Sequence, residues 1–152
     1  MRYILADTGF WIALFDGRDD IKKNNVAEEI FSYVQNTRIK IIITPSILSE
    51  LLRTRFFKEN KKLKIDFLEK ILKSDLTEEF DDSKYKKEAL SLTLIEGKRC
   101  RSISYVDNII RLMIRDYHKN IQYLITFNIN DFRDVCNKYN VDIYEKCYAI
   151  IS

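Results

Sequence analysis

Apolar positions along the chain fall into two patterns, short unbroken runs and longer stretches with helical spacing. Arg2 to Ala6 (RYILA) is an apolar, β-prone run that stops at the polar pair Asp7-Thr8, and it predicts a buried first strand. Phe10 to Phe15 continues apolar until Asp16-Gly17 and predicts a short helix ending in a turn. From Asn25 to Gln35, Val26, Ile30, Phe31 and Val34 recur at helical spacing with polar residues between them, the mark of an amphipathic helix. Lys40 to Thr44 (KIIIT) is β-branched and unpatterned, as expected of a parallel strand buried on both faces. Pro45 suits the first turn of a helix that Ser46 to Phe57 carries onward. Lys61 to Lys73 aligns Leu63, Phe67, Leu68, Ile71 and Leu72 on one helical face, and Lys84 to Lys98 aligns Tyr85, Ala89, Leu92 and Ile95. Ser102 or Ser104 caps a helix from about Val106 to Asp116, while Gln122 to Thr126 (QYLIT) and Val141 to Tyr144 are strand-like. Strands separated by helices, without hairpin signals, predict an α/β sandwich around a mostly parallel sheet. No repeat, linker or low-complexity stretch divides the chain, so one domain over residues 1–152 is expected.

Composition narrows the chemistry. The 152 residues are 46% hydrophobic and 32% charged, the balance of a soluble globule. Gly9, Gly17 and Gly97 are the only glycines and are widely spaced, which excludes a dinucleotide fingerprint or a P-loop, both of which need clustered glycines to approach phosphate. Three cysteines without a C-x-x-C pair, and His118 as the sole histidine, argue against a Cys/His zinc site. No signal peptide or membrane-length apolar run is visible, so the thiols read as reduced cysteines of a cytoplasmic protein. The net charge of +3 permits contact with phosphate without demanding it.

The acidic residues take on meaning from where they fall, because open parallel sheets bind ligands outside the carboxyl ends of their strands. Asp7 directly follows the first strand and serves either as a helix cap or as part of a site. Glu50 lies in an apolar helical segment and must be compensated, by Arg53 in a salt bridge or by a cation shared with Asp7. Asp107 stands near a helix N-terminus, where a carboxylate is favoured on electrostatic grounds alone. After QYLIT come Asn128 and Asp131, turn residues by default, which bring further oxygen donors to the same sheet edge. Together these donors suit magnesium or manganese. His118, at a helix end, is expected to be a surface residue that stabilises that terminus.

Four blocks in order, L-A-D-T-G-F, P-S-I-L-S-E-L, S-Y-V-D-N-I-I and L-I-T-F-N-I-N-D-F, resemble the PIN domains, in particular the single-domain bacterial toxin ribonucleases of the VapC type. The resemblance implies a PIN-like three-layer α/β sandwich, an acidic pocket binding Mg²⁺ or Mn²⁺, and cleavage of RNA. By position, Asp7, Glu50 and Asp107 match the family's first three acidic residues, and Thr8 matches the hydroxyl residue that commonly follows the first. Asn128 departs from the fully acidic version of the last block, and Asp131 matches a further acidic position as a metal ligand or its support. Toxins of this type also imply a homodimer and a small inhibitory antitoxin. A nuclease of this kind needs no catalytic histidine, because metal held by carboxylates both activates water and compensates charge. The basic residues Arg53, Arg55, Lys58, Lys61, Lys62 and Lys64, with Lys98, Arg99 and Arg101, are candidates for phosphate contact or form a solvated face. Phe56 and Phe57 are expected in core or dimer packing. The alternative function is a PIN-like module that has lost catalysis and binds RNA or protein.

Overall fold

The computed structural model describes residues 1–18, 20–59 and 61–150. Its strands are β1 (Tyr3–Ala6), β2 (Lys40–Ile43), β3 (Thr77–Glu79), β4 (Ile121–Ile125) and β5 (Asp142–Ile143). They form one sheet in the order β3-β2-β1-β4-β5, and every pairing is parallel rather than mostly so. In register, Leu5 of the central strand pairs with Ile42 on one side and Leu124 on the other. All three side chains are fully buried, which is why these strands show no alternation of apolar and polar residues.

The helices are α1 (Thr8–Phe15), α2 (Ile21–Asn36), α3 (Pro45–Leu52), α4 (Arg55–Lys58), α5 (Lys61–Lys73), α6 (Lys86–Lys98), α7 (Tyr105–Tyr117) and α8 (Arg133–Tyr139). The chain runs outward from β1 through β2 to β3, then crosses back to β4 and β5 beyond the other edge of β1. Parallel crossovers are right-handed, so this reversal places α1 to α5 on one face and α6 to α8 on the other. The result is a three-layer α/β sandwich. Its direction changes between β1 and β4, the position at which open α/β sheets bind ligands. Among the described residues no helix is long and apolar enough to cross a membrane.

Several elements differ from the sequence expectation for local reasons. Helix α2 starts at Ile21, four residues before Asn25, because the Asp20 side chain accepts from the Lys23 N–H at 3.1 Å and caps a first turn with little apolar patterning. The helix expected over Ser46 to Phe57 is broken after Leu52, where the Thr54 hydroxyl donates to the Leu51 carbonyl at 2.6 Å, and α4 begins anew. On α5, Leu68 and Ile71 are buried while Leu63 is 72% exposed, so the expected stripe is only half used. Ile95 is likewise largely outside the core. Strand β3 (TEE) and helix α8 carry no clear periodic signal; β3 is a polar edge strand, tied to β2 by a Lys40–Glu78 bridge at 3.1 Å.

The start of α3 is anchored from two directions. Thr44 Oγ1 accepts from the Ile47 N–H at 3.2 Å, and Asp82, fully buried beyond β3, accepts from the Ser46 N–H at 3.0 Å through Oδ2. Asp82→Ala removes that acceptor and leaves a buried N–H unsatisfied, an expected loss of about 1–2 kcal/mol. A urea midpoint that falls at unchanged slope is the expected readout, and an unchanged midpoint refutes the anchor.

Candidate active site

Asp7 ends the central strand and caps α1. Its Oδ1 accepts from the Phe10 N–H at 3.0 Å, and its Oδ2 accepts from the Thr126 hydroxyl at 2.5 Å. Thr126 follows β4, so this second bond spans the crevice between β1 and β4. Thr126 Oγ1 also accepts from the Asn128 N–H at 3.0 Å, fixing the loop that leaves the strand. Burial lifts the Asp7 carboxyl to about 6 against the pull of these donors, with Glu50 adding to the rise. Gly9 belongs to the same arrangement: a Cβ there would stand 3.2 Å from Asp7 Oδ1, so glycine leaves room for the carboxylate against its own helix.

Glu50 comes from α3 and is half-buried; burial raises its carboxyl, and the neighbouring Thr8 hydroxyl opposes the shift. Thr8 Oγ1 is buried and meets no partner at full hydrogen-bond geometry, so its influence on Glu50 is one of proximity. Among the described residues no Glu50–Arg53 ion pair is present, and the upward shift of Glu50 is opposite in sign to what such a bridge would impose.

Asp107 sits in the first turn of α7, where the Ser104 side chain accepts from its N–H at 3.1 Å. Its carboxyl is lifted to about 7, first by burial and then by Asp7, Glu50 and Asp131. Four carboxylates from four separate segments therefore share one electrostatic field. Asn128 is exposed, and its side-chain amide donates to Asp131 Oδ2. The donor set of acidic oxygens fits a hard divalent cation in chemistry. It does not fit in convergence as arranged: among the described residues no three His, Cys, Asp or Glu side chains form a group that could hold a metal ion. Asp7, with both oxygens engaged inside the fold, has the least freedom to turn.

The predicted basic residues fare unevenly. Arg53 lines a cleft beside Glu50 together with Lys86 and Tyr105. Arg55 is exposed and bridges to Glu59 at 2.8 Å, Arg99 is exposed at the end of α6, and Arg101 lies 3.4 Å from Asp134. Lys64 donates to the Phe56 carbonyl at 2.6 Å and covers the Phe56 ring, a structural use. Lys58, Lys62 and Lys98 are exposed, and the Lys61 side chain lies outside the described residues. Phe57 is a core residue and Phe56 packs edge-on against it. His118 is at the end of α7, as its place in the sequence suggested, with its Nδ1 donating to the Arg115 carbonyl at 2.9 Å, but it is half-buried against the Tyr139 ring rather than a surface residue.

Sequence reasoning missed two cations near the site. Lys23 lines a cleft of about 400 Å³ with Asp7, Gly9, Phe127 and Asn128, and Lys86 lines the cleft on the Glu50 side. Lys23 is half-buried with its ammonium over the Phe127 ring and Lys86 is exposed, and nothing in the local pattern marks either. No protein-family model matches this chain, and no curated protein matches it.

Proposed function

We propose that this protein is a metal-dependent endoribonuclease of the PIN type, hydrolysing RNA phosphodiesters, in which Asp7, Glu50, Asp107 and Asp131 would have to draw closer together to hold Mg²⁺ or Mn²⁺. The observation that carries the reading is the Asp107 carboxyl, lifted to about 7 under the influence of three other carboxylates at the sheet's reversal point. A bound divalent ion would supply a nucleophile from water and charge compensation at the scissile phosphate. Thr126 and the Phe10 N–H hold Asp7 in one orientation. Glu50 and Asp107 approach from two helices, and the Asn128–Asp131 pair orients water at the edge of the group. Lys23, Arg53 and Lys86 flank the acidic centre and face the phosphates of the strand. As the toxin of a toxin–antitoxin pair, the protein would act in the cytoplasm, as a homodimer, under the control of a small antitoxin.

A catalytically inactive RNA-binding or protein-interaction module is the second reading, favoured by Asn128 in a position that a fully acidic site fills with a carboxylate and by the absence of a converged trio among the described residues. An RNA-cleavage assay separates the two. Cleavage that needs Mg²⁺ or Mn²⁺ and stops in EDTA is expected. Cleavage unchanged by EDTA refutes the metal reading, and RNA retention without cleavage establishes the second.

A further inference from the structure

We propose that the cleft on the Lys23 side of the acidic centre is a guanine-binding pocket, in which Phe127 stacks the base and Asp16 and Asp20 read its Watson–Crick edge. The cleft, of about 400 Å³, is lined by Asp7, Asp16, Asp20, Lys23, Phe127 and Asn128, a size usual for small-ligand sites. Its charge differs from that of the cleft on the Glu50 side. There Arg53 and Lys86 accompany a single carboxylate, which suits phosphate. Here three carboxylates accompany one ammonium, which repels phosphate from the interior and suits the N–H edge of a base. Asp16 follows α1 and Asp20 precedes α2, and among the described residues both serve the fold through Oδ1. Asp16 Oδ1 accepts from the Arg18 N–H at 3.2 Å, with the Arg18 guanidinium 3.7 Å from the same oxygen, and Asp20 Oδ1 accepts from the Lys23 N–H at 3.1 Å. Oδ2 of each is left to accept from a ligand. The corner that carries them is fixed: Asn24 Nδ2 donates to the Ala13 carbonyl at 2.8 Å, and Gly17 lets the turn pass the Asn24 side chain, which a Cβ would approach to 3.3 Å. Phe127 is half-buried and directly follows Thr126, the residue that joins β4 to Asp7. Lys23, 5.7 Å from the Phe127 ring centroid, is the cation that meets the phosphate of the entering nucleotide. Unstacked RNA bases are bound in this manner, on an aromatic ring with the Watson–Crick edge hydrogen-bonded. Guanine is the base that suits paired carboxylates, because its N1–H and 2-amino group are adjacent donors. Adenine and cytosine present an amino group beside an acceptor nitrogen, and uracil an N–H between carbonyls that the carboxylates would repel.

The pocket rests on the RNA part of the proposed function and needs no metal, so its test is run in EDTA. Fluorescence anisotropy measures the binding of short labelled oligouridines that carry one central guanosine, inosine, adenosine or cytidine. The wild type is expected to bind the guanosine oligomer about tenfold more tightly than the others, the discrimination of one well-made base contact. Inosine is the sharpest comparison, since it lacks only the 2-amino group. Asp16→Asn and Asp20→Asn are each expected to remove most of that preference, and asparagine at position 20 still caps α2, so the fold is kept. Phe127→Leu is expected to weaken binding of the guanosine oligomer about tenfold through loss of the stacking surface. Equal affinity of the wild type for all the oligomers overturns the inference and leaves the RNA reading standing. A guanosine preference that survives in both Asp16→Asn and Asp20→Asn, or guanosine affinity unchanged in Phe127→Leu, overturns it as well. A wild type that binds none of the oligomers also overturns the inference; if it neither retains nor cleaves longer RNA, the RNA reading falls with it.

Discussion

Asp107→Asn is expected to reduce metal-dependent RNA cleavage by more than about a hundredfold, beyond the 10–100-fold that loss of an outer-shell partner costs. The amide keeps the shape of the carboxyl but loses the charge that a divalent ion requires, and Ser104 still caps α7 through the Asp107 backbone. Asp7→Asn is expected to be equally damaging. There the amide oxygen still accepts from the Phe10 N–H, while the amide nitrogen faces a Thr126 hydroxyl that already accepts from Asn128. Circular dichroism checks that each variant is folded, and cleavage rates with Mg²⁺ or Mn²⁺ give the result. Near-normal turnover in either variant moves the active site elsewhere.

The second large effect is on the stability of the metal-free protein. The Asp107 carboxyl is lifted from 3.8 to about 7 and that of Asp7 from 3.8 to about 6. Between about pH 4 and pH 7 the folded chain therefore holds protons that the unfolded chain has released. Stability is greatest below the unfolded value and falls as the pH rises through this window. One pKa unit corresponds to 1.36 kcal/mol, so Asp107 alone accounts for a penalty on the order of 4 kcal/mol above pH 7, shared with the carboxylates that repel it. In EDTA at pH ~7.5, Asp107→Asn is expected to stabilise the protein by roughly 2–4 kcal/mol, or roughly 5–10 °C in melting temperature for a chain of this size. At pH ~4 the difference should vanish. Adding Mn²⁺ narrows the difference: the wild type gains about 2.7 kcal/mol at 100 times Kd and the variant much less. A variant that melts below the wild type at pH ~7.5 without metal would make Asp107 a structural cap instead.

Much of the fold was legible in local pattern. RYILA, KIIIT and QYLIT are unbroken apolar runs because strands at the middle of a parallel sheet are covered on both faces, and burial of Ile4, Leu5, Ile41, Ile42 and Leu124 is what such runs encode. Helix α7 was legible to within a residue at each end, and the structure takes Ser104 rather than Ser102 as its cap. Strand β3 was not, because an edge strand of Thr-Glu-Glu draws its stability from pairing with β2 rather than from its own side chains. The exposed Leu63 shows the converse: helical spacing identifies a face without saying how much of it a neighbour covers.

By itself the sequence determined the fold class, three of the five strands with most of the helices between them, and the identity of Asp7, Glu50, Asp107, Asn128 and Asp131 as oxygen donors after strands or in the helices that follow them. Local chemistry suffices for these because strand termini and helix caps are set by neighbours a few residues away. The tertiary structure alone decided how they relate. It joined Asp7 to Thr126 across 119 positions of chain, placed Asp107 in the field of three other carboxylates, and gave Arg111 the turn at Asp131 rather than solvent. It also assigned the basic residues, bringing Lys23 and Lys86 to the clefts while Arg55 and Lys64 were engaged elsewhere. These relations depend on the strand order and on the reversal between β1 and β4, and long-range contact of that kind leaves no periodic trace in the chain.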